Sequence, residues 1–402
     1  MAESAFSVYL MHRNVYILAF CQAMLFTGTG LVISATALIG KDLAPTAAWA
    51  TVPLAIQYLT TMLVIFAVSH WMKIKGRRHV FMRGALVGAA GMLLASLAIW
   101  LGNFYLFMLA SVLVGMHNAI GQFYRFAAAE SVPANLKARA ISMTLAGGVL
   151  AAFLGPNLAV LTKNMLDHVF LASYLSLVLT TLLSALLTSR INMPEIPDEE
   201  KEIRSLLHIA RQPKYLMAML AAMVGYGSMN FLMTATPLAM VCFSHPFSST
   251  AIVIQWHLFA MFAPSFFTGD LIRRFGVTQV MLSGCLLIIG CALVNLNGTS
   301  LRHFEIALIL LGVGWNFLYI GATTMLTDTY SSAEKSKAQG LNDTFIFATL
   351  TLTSFASGAM VDHLGWQTIN ALSLYPVSIV LLGLIWLSLK SIRKNLPKIS
   401  FK

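Results

Sequence analysis

The stretch at residues 114–143, VGMHNAIGQFYRFAAAESVPANLKARAISM, decides the fold because the chain contains it twice. The second copy, at residues 312–341, reads GVGWNFLYIGATTMLTDTYSSAEKSKAQGL. An offset of 198 residues aligns Asn118 with Asn316, Glu130 with Asp328, Lys137 with Lys335, Arg139 with Lys337, and Ala140 with Ala338. Gly76 matches Gly276 at a nearby offset of 200. A chain of 402 residues that repeats itself in the same order near its midpoint indicates a duplicated half.

Composition indicates a membrane protein. The chain is 58% hydrophobic and only 10% charged, whereas soluble domains carry about 25% charged residues. The four cysteines lie within apolar runs without CxxC spacing, so we expect buried thiols and no metal site. The sequence has no H-E-x-x-H, no G-x-S-x-G and no P-loop, which predicts neither an enzyme nor direct ATP drive. We expect no cofactor.

Twelve apolar runs follow one another along the chain. Each exceeds the ~20 residues that a helix needs to cross the hydrocarbon core. The runs lack the apolar–polar alternation of a membrane β-barrel, so each is predicted to be a helix. The predicted spans are residues 15–39, 49–71, 81–101, 104–127, 139–163, 169–189, 214–241, 249–271, 277–298, 304–326, 338–360 and 367–389.

The basic residues indicate the orientation of these spans. Nearly all lie in alternate connections and in the C-terminal tail, while the other side has only Lys41, Lys163 and Arg302. Positive charge collects on the cytoplasmic side, so both termini are predicted to be cytoplasmic, in a multi-pass protein of the cell inner membrane. The net charge of +11 is therefore a topology signal, and we expect no nucleic-acid partner.

The sequence divides into two halves joined by a polar connection. We predict a six-helix bundle at residues 1–189, a cytoplasmic linker at 190–213, and a second bundle with a basic tail at 214–402. In the linker, Ile203, Leu206, Leu207 and Ala210 have helical spacing, which favours an amphipathic segment along the membrane. A plain tether between the two bundles is an equal alternative.

These features together resemble the major facilitator superfamily of secondary transporters. After helix 2 that family usually shows G-x-x-x-D-R-x-G-R-R, of which Gly76, Arg77 and Arg78 remain here. After predicted helix 8, residues 269–276 keep the glycine spacing of the same motif. The resemblance implies an all-α integral membrane protein with twelve transmembrane helices in two pseudo-symmetric six-helix bundles. It also implies alternating access, with helices 1, 4, 7 and 10 lining the pathway.

Two further motifs bear on the kind of transporter. Gly155 and Pro156 resemble the antiporter pattern of helix 5, without its trailing glycine pair. The R-x-x-Q-G pattern of proton-driven drug exporters is absent from helix 4, because Ser111 stands where the arginine should be. The motifs therefore weaken the assignment to drug antiporters.

Polar side chains concentrate on the helices expected to line the pathway. A polar group in hydrocarbon costs several kcal/mol unless it is paired or wetted, so a shared water-filled cavity explains the set. For any one residue, a helix–helix hydrogen bond worth about 0.6 kcal/mol is the simpler explanation. The candidate substrate-binding residues are Gln22, Gln57, His117, Asn118, Gln122, Tyr124, Tyr226, Asn230, Trp256, His257, Trp315, Asn316 and Tyr319.

A second set of charged residues lies near the predicted cytoplasmic ends. We expect Glu130 to pair with a basic residue of the helix 2–3 loop such as Arg77, Arg78 or Arg83, and Asp328 to pair with Arg273 or Arg274. Asp343 is expected to accept a bond from the opposite bundle; solvated surface pairs are the alternative. The candidate coupling or gating residues are Arg77, Arg78, Arg125, Glu130, Lys137, Arg139, Arg273, Arg274, Asp328, Lys335, Lys337, Asn342 and Asp343.

The sequence predicts a monomeric secondary transporter of a small polar solute, with protons as a candidate coupling ion. His117, Arg125 and His257 favour a carboxylate-bearing metabolite or a siderophore-like chelate. The alternative is proton-driven efflux of amphipathic compounds. A receptor or scaffold is the alternative from another class, and a large extramembrane domain would be its signature.

Overall fold

The computed structural model describes residues 2–133, 137–193, 205–331 and 334–395. These residues form helices and contain no strand. The helices are α1 (Ala2–Leu43), α2 (Val52–Lys75), α3 (Arg77–Leu101), α4 (Phe104–Gly121), α5 (Tyr124–Glu130), α6 (Lys137–Thr162), α7 (Leu171–Thr188), α8 (Leu206–Ala210), α9 (Pro213–Cys242), α10 (Phe247–Phe262), α11 (Ser265–Phe275), α12 (Val277–Asn297), α13 (Leu301–Thr327) and α14 (Lys335–Asn395).

The helices confirm an all-α membrane architecture. By length and composition, nine helices of the described chain can cross a membrane, or ten if the bent pair α10–α11 is one span. The apolar segment Ala146–Thr162 of α6 is shorter, and the long α14 is broken at Gly365, where φ is 80°. Counting α6 once and the two parts of α14 separately, the described residues are consistent with the twelve predicted spans.

Two of the predicted spans are interrupted rather than continuous. Predicted span 4 consists of α4 and α5, which are separated at Gln122 and Phe123. Predicted span 8 consists of α10 and α11, which meet at 45°. Pro264 lies in this second break, where it supplies no N–H donor and ends the helix before it. The interruptions leave backbone groups that side chains must satisfy.

Helices α1–α7 pack mainly with one another, and so do helices α9–α14. The main pairs in the N-terminal bundle are α1 with α6, α2 with α4, and α3 with α4 and α7. The main pairs in the C-terminal bundle are α9 with α13 and α14, and α12 and α10 with α13. Between the bundles, α2 contacts α14 and α6 contacts α10. We use these two bundle names below.

The loops that follow α2 and α11 have the same backbone conformation. Gly76 ends α2 with φ of 75°, and Gly276 ends α11 with φ of 91°. Glycine adopts positive φ without steric cost, so it suits a tight turn between two membrane helices. The two glycines are the pair that the sequence aligns between the halves, and their shared geometry is consistent with the duplication.

Close helix contact explains the small residues of α6. A Cβ atom on Gly155 would lie 2.6 Å from the Thr27 carbonyl oxygen of α1 and 3.0 Å from the Leu31 nitrogen. Lipid gives no hydrophobic drive for helix association, so membrane helices depend on close packing between small residues. Any side chain at Gly155 would push α1 and α6 apart.

The two bundles pack together near one face of the molecule. We call the face with the Gly76 and Gly276 turns the basic face, and the other the opposite face. Near the opposite face, one hydrophobic cluster contains Leu38 and Phe170 of the N-terminal bundle together with Leu238 and Phe247 of the C-terminal bundle. The cluster nearest the basic face contains N-terminal residues alone. The structure is therefore closed at the opposite face.

The linker is described only in part. Within it, α8 is a single short turn, and Ser205 begins it by accepting a hydrogen bond from the His208 N–H at 3.3 Å. Ile203, which belongs to the predicted amphipathic segment, lies outside the described residues. The predicted domain boundaries and the amphipathic character of the linker stay predictions.

Candidate functional site

Aromatic rings meet where the two bundles face each other. Trp315 and Tyr319 lie four residues apart on α13 and therefore share one helix face; their ring centroids are 5.2 Å apart with an interplanar angle of 15°. Tyr226 of α9 packs edge-on against both rings, at 5.0 and 4.7 Å. Phe262 of α10 approaches Trp315 at 6.4 Å and stacks at 5.1 Å on Phe26 of the N-terminal bundle. We call these five residues the aromatic cluster.

The aromatic cluster offers aromatic ring surface and one free hydrogen-bond donor. Trp315 is 5% exposed, and its indole N–H has no hydrogen-bond partner among the described residues. Aromatic side chains stack favourably on flat rings, and a buried indole N–H normally finds an acceptor. The cluster is therefore suited to a planar aromatic solute with polar atoms at its edge.

A cation from the N-terminal bundle enters the same region. Arg125 of α5 lies within hydrogen-bonding reach of the Tyr319 hydroxyl and in electrostatic contact with Asp343 and Tyr226. Asp343 also accepts a hydrogen bond from the Asn342 side chain at 3.2 Å. Arg125 and Asp343 come from different bundles, so their attraction depends on how the bundles are arranged. A charge pair in this position can respond to alternating access.

The N-terminal bundle contains a small cavity with a mostly apolar lining that includes several polar side chains. Its volume is about 40 Å³, enough for one or two water molecules. Two of its lining residues, Ile33 and Tyr58, also pack against the hydrophobic core of the C-terminal bundle that contains Trp315. The polar side chains that line the cavity are Thr29, Gln57, Tyr58, His117, Asn118, Thr180, Thr181 and Ser184.

The two amides of this cavity have open hydrogen-bonding capacity. Gln57 on α2 and Asn118 on α4 both line it, and neither side-chain amide has a hydrogen-bond partner among the described residues. A primary amide can donate two hydrogen bonds and accept two. Both amides line open space rather than being sealed in the core, so water or a solute can bind them. These two predicted substrate-binding residues are well placed for that role.

His117 is fixed in the wall of the cavity. Its Nδ1 lies 3.0 Å from the Gly84 carbonyl oxygen, and because a carbonyl can only accept, Nδ1 carries the hydrogen and donates. A Cβ atom at Gly88 would lie 2.6 Å from the ring, so α3 holds the imidazole closely. The other ring nitrogen, Nε2, is left for the cavity.

Asn316, the repeat partner of Asn118, is occupied in packing. Its side-chain N–H group donates to the Met261 carbonyl and to the Ser265 hydroxyl, each at 2.7 Å. Its oxygen accepts from the Thr268 hydroxyl at 2.7 Å. All these partners flank the Pro264 break between α10 and α11, which releases the Met261 carbonyl from helical bonding. In this structure the Asn316 amide satisfies a broken helix, and its predicted contact with substrate stays a prediction.

Two other predicted contacts also face into the C-terminal bundle. The Asn230 amide donates to the Leu350 carbonyl at 3.1 Å and to the Thr353 and Ser354 hydroxyls at 2.9 and 2.8 Å. His257 is fully buried, and its Nδ1 lies 2.8 Å from the Leu308 carbonyl oxygen. Both side chains hold helices together, so the structure argues against a direct contact with solute.

The remaining substrate-binding candidates lie outside the cavity and the cluster. Tyr124 is 1% exposed and packs on Phe81 inside the N-terminal bundle, away from the interface. Trp256 is 40% exposed and contacts Phe153 and Phe259 where α6 meets α10. Gln22 is buried on α1, and Gln122 is half-buried at the break between α4 and α5; neither residue lines the cavity.

The ion pair predicted for the N-terminal half is present, whereas the acid of the C-terminal half has a different partner from the one predicted. Glu130 pairs with Arg77 at 2.5 Å in a half-buried position, as expected from the sequence. Asp328 pairs with Lys214 at 2.6 Å, so its predicted pairing with Arg273 or Arg274 is wrong. Lys214, at the start of α9, lies closer to Asp328 than the two arginines do.

The remaining coupling or gating candidates make local contacts, are exposed, or have side chains that are not described. Arg273 bonds to Asp270 on its own helix, and Arg274 lies 5.2 Å from the Phe275 ring centroid. Arg78 and Lys337 are exposed. The side chains of Lys137, Arg139 and Lys335 lie outside the described part of the structure.

Contacts between the bundles near the opposite face were not predicted from the sequence. The Thr51 hydroxyl at the start of α2 donates to the Ser354 carbonyl at 2.5 Å and accepts from the Gly358 N–H at 3.0 Å. Asn157 donates to Gln255 at 2.5 Å, from α6 to α10. Only the polarity of Gln255 within an apolar run could have indicated such a contact from sequence.

The match to known proteins agrees with this architecture. The family model described as Major Facilitator Superfamily matches residues 18–299 and 246–401. The chain therefore belongs to the major facilitator superfamily, and it is a multi-pass membrane transporter of a small solute. No group of three His, Cys, Asp or Glu residues that could hold a metal ion occurs in the part of the chain that the structure describes.

Individual relatives cover nearly the whole chain. The riboflavin transporter RfnT of Brucella anthropi is 39% identical over 378 residues, which is 93% of this chain and 95% of that protein. The uncharacterized MFS-type transporter YddS of Bacillus subtilis is 26% identical, over 94% of this chain and 91% of that protein. The crystal structure of a point mutant of the nucleoside transporter NupG has a TM-score of 0.72 at 14% identity, covering 94% of this chain and 99% of that chain.

Proposed function

We propose that the chain is a secondary transporter of a neutral, flat heteroaromatic solute of the flavin class, with riboflavin as the first candidate. The observation that carries this proposal is the aromatic cluster beside two unpartnered amides. The cluster can stack on a fused ring, and the amides can bind polar atoms at its edge. The 39% identity to a protein named a riboflavin transporter supports the same solute class.

The charges of the site favour a neutral solute over the carboxylate expected from sequence. That expectation depended on His117, Arg125 and His257. His257 is buried against Leu308 within one bundle, and Arg125 is already in electrostatic contact with Asp343. A solute carboxylate would have to compete with Asp343 for Arg125 in a region of low dielectric, which costs desolvation energy. The hydroxyl-rich chain of a flavin makes no such demand.

The proposed transport cycle is alternating access between the two bundles. Opening at the opposite face must break the bonds of Thr51 to α14 and of Asn157 to Gln255. We place the basic face and both termini in the cytoplasm of a cell whose inner membrane holds the protein, because positive loops are retained there.

The proposed coupling ion is a proton carried by Asp343. A carboxylate within a membrane is costly, and Arg125 balances its charge only while the bundles keep it near. Protonation of Asp343 would remove the attraction between the bundles. The transport cycle would then couple proton movement to the change in access.

Transport assays in membrane vesicles test solute, direction and coupling together. Right-side-out and inverted vesicles from a host that expresses the chain are loaded with riboflavin, with and without a pH gradient. We expect saturable riboflavin movement that other flavins inhibit, that simple carboxylates leave unchanged, and that the gradient stimulates. Strong inhibition by carboxylates, or movement of unrelated amphipathic cations in place of riboflavin, would overturn the proposal and favour the alternatives from the sequence.

A further inference from the structure

The N-terminal cavity contains hydrogen-bonding groups that no packing contact explains. Its amides, Gln57 and Asn118, come from neighbouring helices and line the same small space. In the C-terminal bundle, by contrast, the amides of Asn230 and Asn316 are each satisfied by three or more bonds. A membrane interior leaves few polar groups without partners, so unpaired amides beside an aromatic cluster indicate a recognition surface.

We propose that Gln57 and Asn118 together bind the imide edge of the flavin ring and so determine specificity. This inference rests on the proposed function. The imide edge presents a carbonyl, an N–H and a second carbonyl in a row. A primary amide places an acceptor beside a donor, so it can pair with the N–H and one flanking carbonyl through two parallel bonds. A second amide can then donate to the other carbonyl.

The arrangement of the cavity suits an edge rather than a whole ring. Its volume of about 40 Å³ is far too small for a three-ring system. Tyr58 and Ile33 line it and pack against the hydrophobic core of the C-terminal bundle, so the cavity adjoins the interface between the bundles. In the proposed binding mode, a ring stacked on the cluster directs one edge across this interface toward α2 and α4. His117, held by the Gly84 carbonyl, gives that wall a fixed shape.

A chemical probe isolates the imide edge from the rest of the ring. In 3-methylriboflavin a methyl group replaces the imide hydrogen, while the stacking surface and the hydroxylated chain are unchanged. A site that pairs with an N–H discriminates strongly against an analogue that lacks it. We therefore expect the wild-type protein to bind riboflavin at least about tenfold more tightly than 3-methylriboflavin. Roseoflavin, which is altered at the far end of the ring, should bind with nearly the affinity of riboflavin.

Two variants test whether the amides cause the preference for riboflavin over 3-methylriboflavin. In purified Gln57→Ala and Asn118→Ala protein, we expect weaker riboflavin binding and an almost unchanged affinity for 3-methylriboflavin. The preference should fall to within about threefold, because the groups that paired with the imide are gone. Gln279→Leu is the matched control, since this glutamine is exposed on α12 far from the cavity, and it should keep the full preference. Thermal unfolding of each protein checks its fold.

The results separate this inference from the proposed function. Riboflavin binding with no preference over 3-methylriboflavin in the wild-type protein would overturn the imide contact and leave the flavin proposal standing. A preference that persists in both alanine variants would also overturn it. Absence of binding of either flavin to the folded wild-type protein would instead contradict the proposed function itself.

Discussion

Asn118 and Asn316 occupy matched positions in the two halves of this chain, yet they have different surroundings. Asn118 lines a cavity with an unpartnered amide, whereas Asn316 uses its amide to satisfy the broken helix at Pro264. The same division extends to the neighbouring positions, where the N-terminal half has His117 and the C-terminal half has Trp315. In our proposal, the N-terminal half contributes a hydrogen-bonding wall to the site and the C-terminal half contributes most of a stacking wall.

The largest expected effect concerns the charges that connect the two walls. Arg125→Ala leaves Asp343 in the membrane interior without the cation that acts on its charge, and an uncompensated carboxylate there is costly. We expect the initial rate of riboflavin transport to fall at least about 100-fold, measured in vesicles with matched amounts of folded protein.

A double variant separates the loss of a pair from the loss of one residue. Arg125→Ala combined with Asp343→Ala removes both charges, so its thermal stability should recover toward that of the wild-type protein. A double variant whose destabilisation equals the sum of the two single effects would show that the two residues do not interact.

The two asparagines should respond differently to the same substitution. Asn316→Ala removes the partner of the Met261 carbonyl and of the Ser265 hydroxyl, while the Thr268 hydroxyl keeps its bond to the Pro264 carbonyl; an unsatisfied buried group costs about 1–3 kcal/mol. We expect a lower thermal unfolding midpoint and less folded protein. Asn118→Ala breaks no described hydrogen bond, so its unfolding midpoint should be unchanged while riboflavin affinity falls about tenfold. Equal losses of folded protein in the two variants would show that both asparagines are packing residues.

A smaller effect is expected at the opposite face. Thr51→Val keeps the shape of the side chain but removes its bonds to Ser354 and Gly358, each worth about 0.5–1.5 kcal/mol. The closed arrangement should lose population by several-fold. A cysteine placed at Trp49, beside this contact, should react faster with a membrane-impermeant thiol reagent, while Thr51→Ser retains the slow rate. Equal rates in Val and Ser variants would exclude a role for these bonds.

The smallest effect compares the two loop pairs. Arg77 and Glu130 are 16% and 26% exposed, whereas Lys214 and Asp328 are 49% and 57% exposed. Solvated pairs contribute about 0–1 kcal/mol, so Asp328→Asn should change neither stability nor cysteine labelling at the basic face. Glu130→Gln should increase that labelling about two- to fivefold, because a partly buried pair contributes more. The reverse order would show that exposure does not determine the strength of these pairs.

Features set by local composition could be predicted from the sequence. The length of each apolar run predicts a membrane helix, and the repeat predicts the paired bundles. The pairing of Glu130 with Arg77 was also foreseeable, because the family motif places a basic loop beside that acid. Asp328 was misassigned because Lys214 has the same charge as Arg273 and only the path of α9 brings it close.

The site itself could be predicted only in part. Sequence alone could not distinguish Asn118 from Asn316, because the Pro264 break that occupies Asn316 lies on another helix. The sequence also could not distinguish His257 from His117. Each ring is bound by a carbonyl oxygen on a neighbouring helix, and such a contact leaves no mark in the local sequence. Phe26 and Phe262 gave no signal, because phenylalanine is common in every membrane span.

Flavin fluorescence tests the central claim that a solute ring stacks on the C-terminal wall and contacts the N-terminal wall. Stacking on tryptophan or tyrosine quenches flavin emission, so titration of riboflavin with purified wild-type protein should give saturable quenching. In Trp315→Leu we expect the quenching and the riboflavin affinity to fall together, while Trp100→Leu, on the exposed surface of α3, behaves as wild type. Riboflavin affinity and quenching that remain unchanged in Trp315→Leu would contradict the account.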